Sequence, residues 1–367
     1  MCAPCLFGLE GLVGNELRHL GLSGIAPENG RVRFAGDWPG LARANLCSRF
    51  AERILIELGR FPAPTFDALF EGTKALPWEE FIPRTGRFPV KGHSLDSGLH
   101  SVPDCQKIIK RAVAARLGAR YGLEWLPESD ALYQIQFSIM KDIAVLYLDT
   151  SGTGLHKRGY RPAQVAAPLR ETLAAAMVDI ARYHGRGDFC DPFCGGGTIA
   201  IEAALAARNR APGLLRAFSA EGWAGADTGV WRAEREAARD REFHGDYHVF
   251  ASDIDAKAVE IARANAGRAA VSDDIRFEVA DAAQFAQRTE CGVIVTNPPY
   301  GERLMEKRAA EEIYRAFGQA VAQWEHWSVY VLSAHQGFEQ AFGRPAKKRR
   351  KLYNGMIPCE LYMYPAP

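Results

Sequence analysis

The chain has 367 residues, of which 45 are basic and 44 are acidic, for a formal net charge of +1. This length exceeds one ordinary domain, so we expect two or three domains, each large enough to bury its own core. The balanced charge gives no indication of nucleic-acid binding, and no apolar run approaches the roughly 20 residues that cross a bilayer. The segment Met1 to Cys5 lacks the basic and apolar parts of a signal peptide, so we expect a cytoplasmic protein.

Eight cysteines are scattered along the chain. They are too sparse for a disulfide framework in a chain of this length, so we expect reduced thiols. Cys2 and Cys5 have the spacing of half a zinc site, but no second pair of ligands follows at short range. The sequence therefore predicts no metal site.

The first 150 residues predict two mixed α+β units. Residues 1–60 show a helical pattern over 8–17 and an extended segment over 31–36. The second unit, from about 61 to 152, shows a helix near 104–118 and alternating strands over 132–137 and 143–148. Strands and helices without strict alternation favour α+β domains.

After Gly154 the pattern changes, and short strands that end in Asp or Asn alternate with alanine-rich helices. This pattern is typical of a doubly wound α/β domain, in which ligands bind beyond the carboxyl ends of the strands.

The first strand end carries a glycine-rich turn that runs from Asp191 through Gly195 and Gly197 into a predicted helix. Glycines let the backbone approach a ligand closely, and the helix N-terminus adds N–H donors. The turn lacks the Lys-Ser/Thr of a phosphate-binding loop and the GxGxxG spacing of a dinucleotide site. An acid at its head suits a ligand with an ammonium group, such as the methionine part of S-adenosylmethionine.

Two further acids follow at the next strand ends. Asp253 can accept hydrogen bonds from both ribose hydroxyls, with Ile254 against the adenine face, and Asp281 can accept from the adenine amino group. Each acid alone is better explained as a helix N-cap. Three acids at successive strand ends favour a nucleoside site.

The fourth strand ends in Asn297-Pro298-Pro299-Tyr300. Such sequences are common in turns, but this one follows a buried strand at the same edge of the sheet as the acids. An amine conjugated to a base becomes nucleophilic when acceptors hold its N–H groups and favour a pyramidal nitrogen. The side-chain oxygen of Asn297 and the carbonyl of Pro298 are such acceptors, and Tyr300 can stack on the ring.

These residues match the class I methyltransferases that carry an Asn-Pro-Pro-Tyr motif. Segments 155–161, 167–175 and 297–304 resemble those of THUMP-domain RNA methyltransferases. Segment 210–214 and the residues Phe218, Glu221 and Trp223 resemble an insertion of the bacterial 23S rRNA guanine-N2 methyltransferases, and segment 351–355 is also similar to that group.

The resemblance implies an α/β fold, with a class I Rossmann-like methyltransferase domain preceded by α+β ferredoxin-like and THUMP domains. The implied bounds are 1–60, 61–152 and 153–367, with a single methyltransferase domain. The resemblance also places four further residues beside S-adenosylmethionine: Pro168, Phe193, Ala282 and Asn297.

The implied activity is methylation of the exocyclic N2 amine of a guanine in 23S rRNA. The alternatives are guanine N2 in tRNA, adenine N6 in DNA, a protein glutamine, or an RNA-binding assembly factor without catalysis. The intact Asn297 and cofactor motifs argue against the last of these. Flipping the base out of its helix costs a few kcal/mol, which contacts to RNA must offset.

Two basic segments are candidates for those contacts. The predicted helix near 104–118 and its flank carry five cations, which fit phosphate contacts and a solvated helix face equally well: Lys107, Lys110, Arg111, Arg116 and Arg120. The five adjacent cations of 347–351 favour RNA more strongly, because they repel one another unless an anionic partner screens them.

Overall fold

The computed structural model describes residues 1–161, 169–286, 289–301, 304–322 and 324–366. Within these residues the strands form two seven-stranded sheets. No helix in this part of the chain has both the length and the hydropathy to span a membrane.

The strands before residue 150 form the first sheet, and helices lie between some consecutive strands of this part. Its strand order is β2-β3-β1-β4-β7-β6-β5. The elements are β1 (Cys2–Pro4), α1 (Glu10–His19), β2 (Ser23–Glu28), β3 (Arg31–Ala35), α2 (Trp38–Cys47), β4 (Leu55–Pro62), α3 (Phe66–Lys74), β5 (Val90–Leu95), α4 (Val102–Tyr121), β6 (Ile135–Met140) and β7 (Ile143–Asp149).

The strand β4 joins the two units that the sequence predicts as separate domains. It pairs with β1 through Cys2 and Leu55 on one side, and with β7 along its length on the other. The predicted boundary between residues 60 and 61 therefore falls inside a strand. The two units share one continuous sheet because β4 supplies backbone hydrogen bonds to both.

The second sheet has the order β10-β9-β8-β11-β12-β14-β13. The first five strands of this order are parallel, and the last two pair antiparallel. The elements are α5 (Glu171–Ile180), β8 (Asp188–Asp191), α6 (Thr198–Ala207), α7 (Thr228–Asp240), β9 (Val249–Asp253), α8 (Ala256–Ala269), β10 (Ile275–Val279), β11 (Gly292–Thr296), α9 (Leu304–Val321), β12 (Trp327–Ser333), α10 (Phe338–Phe342), β13 (Lys348–Asn354) and β14 (Ile357–Tyr364).

The strand order reverses between β8 and β11, which lie side by side at the centre of the second sheet. In open α/β sheets ligands bind in the crevice at this switch point, beyond the carboxyl ends of the strands. The fold therefore brings the glycine-rich turn after β8 next to the Asn-Pro-Pro-Tyr segment after β11.

One buried apolar cluster runs through both sheets, from Ala3 to Leu361. Phe317 and Trp327 belong to a second buried cluster around the second sheet, and the expectation that each domain can bury a core of its own stays a prediction. The segment between α6 and β9 links the second sheet to the first, because its Trp223 stacks on Tyr133 with ring centroids 5.0 Å apart. The indole N–H of Trp223 also donates to the carbonyl of Leu132 at 2.9 Å.

Candidate active site

The glycine-rich turn after β8 has space for a ligand. Gly195 and Gly197 have φ angles of 51° and 83°, a left-handed conformation that glycine adopts without steric cost. A β-carbon at Gly195 would meet no atom of the described residues within 4 Å, which leaves room for a ligand at this part of the turn. A β-carbon at Gly197 would lie 2.9 Å from that of Ala262, so this glycine allows α6 to pack closely against α8.

Asp191 lies at the head of this turn and is buried. Its Oδ1 accepts a hydrogen bond of 2.7 Å from the hydroxyl of Thr296 on β11, and a longer one of 3.4 Å from the backbone of Phe193. Its Oδ2 is buried and has no hydrogen-bond partner among the described residues. Burial raises the pKa of Asp191 to about 7. A buried acceptor without a partner fits a ligand that brings a donor, such as an ammonium group.

Asp253 ends β9 and holds the glycine-rich turn. Its Oδ2 accepts from the backbone N–H of Gly195 at 2.9 Å, and its Oδ1 accepts from that of Asp255 at 3.0 Å. Each carboxylate oxygen has a second lone pair, so the group can also accept from a ribose. Ile254 is 72% exposed, and the sequence predicts that an adenine ring covers it.

Asp281 and Ala282 follow β10. The Oδ1 of Asp281 accepts from the backbone of Ala283 at 2.9 Å and caps a short 3-10 helix. The carboxylate thus has the N-cap role that the sequence offers as the simpler interpretation. Its contact with the adenine amino group stays a prediction. Ala282 is buried.

The Asn-Pro-Pro-Tyr segment leaves the end of β11 as a braced turn. The hydroxyl of Tyr300 donates to the side-chain oxygen of Asn297 at 2.5 Å, and burial raises the pKa of this phenol, so it stays a neutral donor. The hydroxyl of Tyr314 donates to the carbonyl of Pro299 at 2.5 Å. Pro298, the residue after Asn297, is buried. These contacts fix the turn next to Asp191.

A cavity of about 490 Å³ lies beside Tyr300, and no sequence pattern predicts it. Its described lining includes His335, Glu311 and Lys307. The Nδ1 of His335 accepts from the backbone of Gly337 at 3.0 Å, so the proton of a neutral ring sits on Nε2. That Nε2 faces the carboxylate of Glu311 at 3.4 Å.

The signal for this cavity is weak in sequence. His335 comes two residues after β12, the strand next to β11, so its place along the sheet edge could have singled it out. Glu311 lies in the middle of α9 and belongs to no recognisable motif. Pro168, which the resemblance places at the cofactor, lies outside the described residues.

The cations of α4 largely have protein partners. The Nζ of Lys110 lies 2.6 Å from the Glu128 carboxylate, and Arg116 lies 2.6 Å from that of Glu79. Lys107 lies 3.5 Å from Asp104. For these three the structure favours a helix face with ion pairs over free phosphate contacts.

Most of the basic run 347–351 belongs to β13 at the edge of the second sheet. Successive side chains of a strand point to opposite faces, which separates the charges. Arg349 also pairs with Glu339. The repulsion that favours an RNA contact is therefore partly relieved within the protein.

Comparison with known proteins gives the same architecture. The RMKL-like methyltransferase domain matches residues 158–363, the RlmL ferredoxin-like domain matches 1–55, and the THUMP domain matches 63–149. The chain belongs to the RMKL-like methyltransferase family. The predicted fold class and family are confirmed, whereas the exact domain bounds stay predictions.

Similar proteins align with nearly the whole chain. YpsC of Bacillus subtilis (strain 168), named as a proposed RNA methyltransferase, is 46% identical over 99% of this chain and 95% of its own. A Listeria monocytogenes structure described as a predicted N6-adenine-specific DNA methylase has 46% identity and a TM-score of 0.95, covering 100% of this chain and 96% of its own. SMU.472, a proposed methyltransferase solved with SAH, has 38% identity and a TM-score of 0.94, covering 100% of this chain and 97% of its own.

The methyl donor is S-adenosylmethionine. The described residues fit this molecule, because Asp191 offers an unpartnered buried acceptor and Gly195 leaves open space at the turn. The predicted cofactor is thereby confirmed, whereas the individual contacts of each residue stay predictions.

Proposed function

We propose that this methyltransferase acts on RNA and modifies the exocyclic N2 amine of a guanine, in 23S rRNA. The observation that carries the proposal is the braced Asn-Pro-Pro-Tyr turn at the switch point. The turn follows Thr296, whose hydroxyl donates to Asp191, and it carries the Asn297 side-chain oxygen and the Pro298 carbonyl.

These two acceptors suit a conjugated amine. They can each take an N–H of the amine and so favour a pyramidal nitrogen with a localised lone pair. S-adenosylmethionine supplies the methyl group. The methylated amine is acidic enough to lose its proton without a strong base, which agrees with the neutral Tyr300 phenol next to Asn297.

The cavity beside Tyr300 favours guanine over adenine. Guanine has an N1–H donor next to its N2 amine, whereas adenine has an acceptor at N1 next to N6. Glu311 offers a carboxylate acceptor, which His335 faces at 3.4 Å, and Lys307 offers a donor for the guanine O6. A carboxylate would repel the N1 lone pair of adenine.

RNA is the favoured polymer because a THUMP domain precedes the catalytic domain and because YpsC carries the name of an RNA methyltransferase. The resemblance of the segment around Trp223 to the 23S rRNA enzymes favours ribosomal RNA. The alternative is guanine N2 in tRNA, because similar THUMP enzymes act there with the same motif.

Mass spectrometry of nucleosides from rRNA and tRNA of cells with and without the gene tests the proposal. We expect N2-methylguanosine to disappear from 23S rRNA and to return when the purified protein and S-adenosylmethionine are added. Loss from tRNA alone would select the alternative. A missing N6-methyladenosine would overturn the base assignment, and cofactor binding without any transfer would indicate a non-catalytic factor.

A further inference from the structure

An aromatic pair of the exposed Phe7 and the half-buried Tyr353 joins the N-terminal unit to the methyltransferase domain. The rings of Phe7 and Tyr353 pack edge to face, with centroids 6.2 Å apart and planes at 64°. Phe7 is nevertheless 58% exposed. A large apolar ring that stays exposed to water contributes little to folding stability. The contacts that hold the ring and the residues around it therefore indicate whether it has another role.

The loop that carries Phe7 is held rigidly. The carboxylate of Glu10 accepts from the backbone N–H of Gly8 and of Gly30, both at 2.9 Å. Both glycines have positive φ angles, of 88° and 72°. A β-carbon at Gly30 would lie 3.4 Å from the Phe7 ring, so the ring rests directly on bare backbone. The ring is therefore held in place by Gly30 and Tyr353, and its loop is fixed by the two hydrogen bonds to Glu10.

Two successive cations of β13, Arg350 and Lys351, lie near the pair on opposite faces of the strand. Arg350 donates to the carbonyl of Gly8 and ties the strand to the Phe7 loop. The ammonium of the exposed Lys351 lies 5.6 Å from the centre of the Tyr353 ring. Aromatic rings next to cations are the combination that binds unpaired nucleotides, through base stacking and phosphate contacts.

The pair is continuous with the candidate active site. Asn354, the residue after Tyr353, ends β13, and the thiol of Cys359 on the paired strand β14 contacts the Tyr300 hydroxyl at 3.7 Å. Ile357, at the start of β14, lines the cavity beside Tyr300. Between them, Met356 at the tip of the hairpin is 95% exposed. An apolar and basic surface thus leads from the cavity to Phe7.

We propose that Phe7, Tyr353, Lys351 and Met356 form a stacking surface for unpaired RNA nucleotides that flank the target base, and that Arg350 holds the Phe7 loop beside it. This inference rests on the proposed function, because it takes the cavity beside Tyr300 as the place of the flipped base. Unpaired neighbours also lower the cost of flipping that base. The cations favour RNA over a protein partner, because an apolar protein patch would have to desolvate them.

The test compares methylation kinetics of four variants of the full chain on deproteinised RNA from cells that lack the gene. For Phe7→Ala and Tyr353→Ala we expect the KM for RNA to rise about fivefold to a hundredfold, the effect of losing one base stack. The kcat and the affinity for S-adenosylmethionine should stay within about twofold, because neither ring touches the catalytic turn. Tyr353→Phe keeps the ring and should behave as wild type. Phe243→Ala is the matched control, because Phe243 is equally exposed at 58% and lies in another part of the chain.

A second measurement does not depend on turnover. A short oligouridine that contains 5-iodouridine should photo-crosslink to Phe7 or Tyr353, as mapped by peptide mass spectrometry. Unchanged KM in both alanine variants, or crosslinks that avoid these two residues, would overturn the stacking surface. So would a KM defect seen only on ribosomal subunits, since this would indicate a ribosomal protein as the partner. Absence of methyl transfer by the wild type, with crosslinks in place, would instead overturn the proposed function.

Discussion

The hydroxyl of Tyr300 donates a 2.5 Å hydrogen bond to the side-chain oxygen of Asn297. This contact orients the amide of Asn297 and still leaves one lone pair of its oxygen for a substrate N–H. Tyr300 in turn accepts a 3.7 Å contact from the thiol of Cys359 on β14. The last strand pair of the sheet therefore supports the residue that we place at the target amine.

Replacement of Asn297 by alanine should lower turnover by about two or three orders of magnitude, as for the loss of one transition-state hydrogen-bond partner. Cofactor affinity should stay near normal, because Asp191 and the glycine-rich turn are unchanged. Single-turnover methylation and calorimetry with S-adenosylhomocysteine measure the two effects separately. A wild-type single-turnover rate would rule out the role of Asn297 in amine activation.

Tyr300→Phe should keep the ring and remove only the donor to Asn297. We expect a single-turnover rate about fivefold lower, which corresponds to the roughly 1 kcal/mol of a typical hydrogen bond. The KM for RNA should change little, since stacking on the ring is retained. A large rise in KM with an unchanged rate would show that the hydroxyl binds substrate and does not orient Asn297.

Asp191 should make cofactor binding pH-dependent. Burial raises the pKa of this carboxyl to about 7, so in the free protein it is largely protonated below that pH. An ammonium ligand binds the ionised form, so affinity should rise as the pH increases through about 7 and level off above it. Binding at lower pH should release protons, which calorimetry in buffers of different ionisation enthalpy detects.

The raised pKa of Asp191 also affects folding. The contribution of this carboxyl to the free energy of unfolding is present at acid pH and is lost as the pH rises through about 7.

Asp191→Asn is the control for that experiment, because it keeps the shape and cannot ionise. Its affinity should be lower and independent of pH between about 5.5 and 8. A wild-type profile as flat as that of Asp191→Asn would mean that the ammonium group does not meet this carboxylate.

Asp253→Ala should weaken cofactor binding by about 1.5–3 kcal/mol, the usual value for hydrogen bonds to a charged group. It removes the ribose acceptor and also frees the N–H of Gly195. Asp255→Ala is a matched control two residues away, because Asp255 only caps α8 through Lys257 at 2.9 Å. The control should cost about 1 kcal/mol of stability and leave cofactor affinity unchanged. Equal affinity losses in both variants would indicate a general loosening of this loop.

The strand-end residues could be predicted because their position follows from local patterns. Asp191 and Asp253 end short strands and Asn297 directly follows one, and parallel strands bring their carboxyl ends to one edge of the sheet. The position of Asp281 after β10 could be predicted equally well. Its observed hydrogen bond, however, is the helix cap that it forms by accepting from the backbone N–H of Ala283. The sequence alone does not separate capping from ligand contact, because both need an acid just after a strand.

The features that the sequence does not predict depend on contacts between distant segments. The pairing of β4 with β7 joins Leu55 to Asp149, and no local pattern encodes a pairing across so many residues. The contact between Glu311 and His335 likewise joins the middle of a helix to a loop. Phe7 looks like an ordinary loop residue until its exposure and its position beside Tyr353 are known.

The shared core leads to a prediction about stability. Trp223 is buried and belongs to the methyltransferase half, yet it stacks on Tyr133 and donates to Leu132 in the N-terminal half. Trp223→Ala should therefore destabilise the whole chain by about 3–5 kcal/mol, with both sheets unfolding in one transition at a lower temperature. Calorimetry measures the transition, and Trp125→Ala is the control, because Trp125 is 81% exposed and its loss should change stability by no more than about 0.5 kcal/mol.

A fragment that begins near Gly152 would expose the same face of Trp223, so we expect it to aggregate and not to bind cofactor as an independent unit. Two separate transitions in the wild type, or a folded fragment that binds S-adenosylmethionine, would show that the two halves are energetically independent despite their common core.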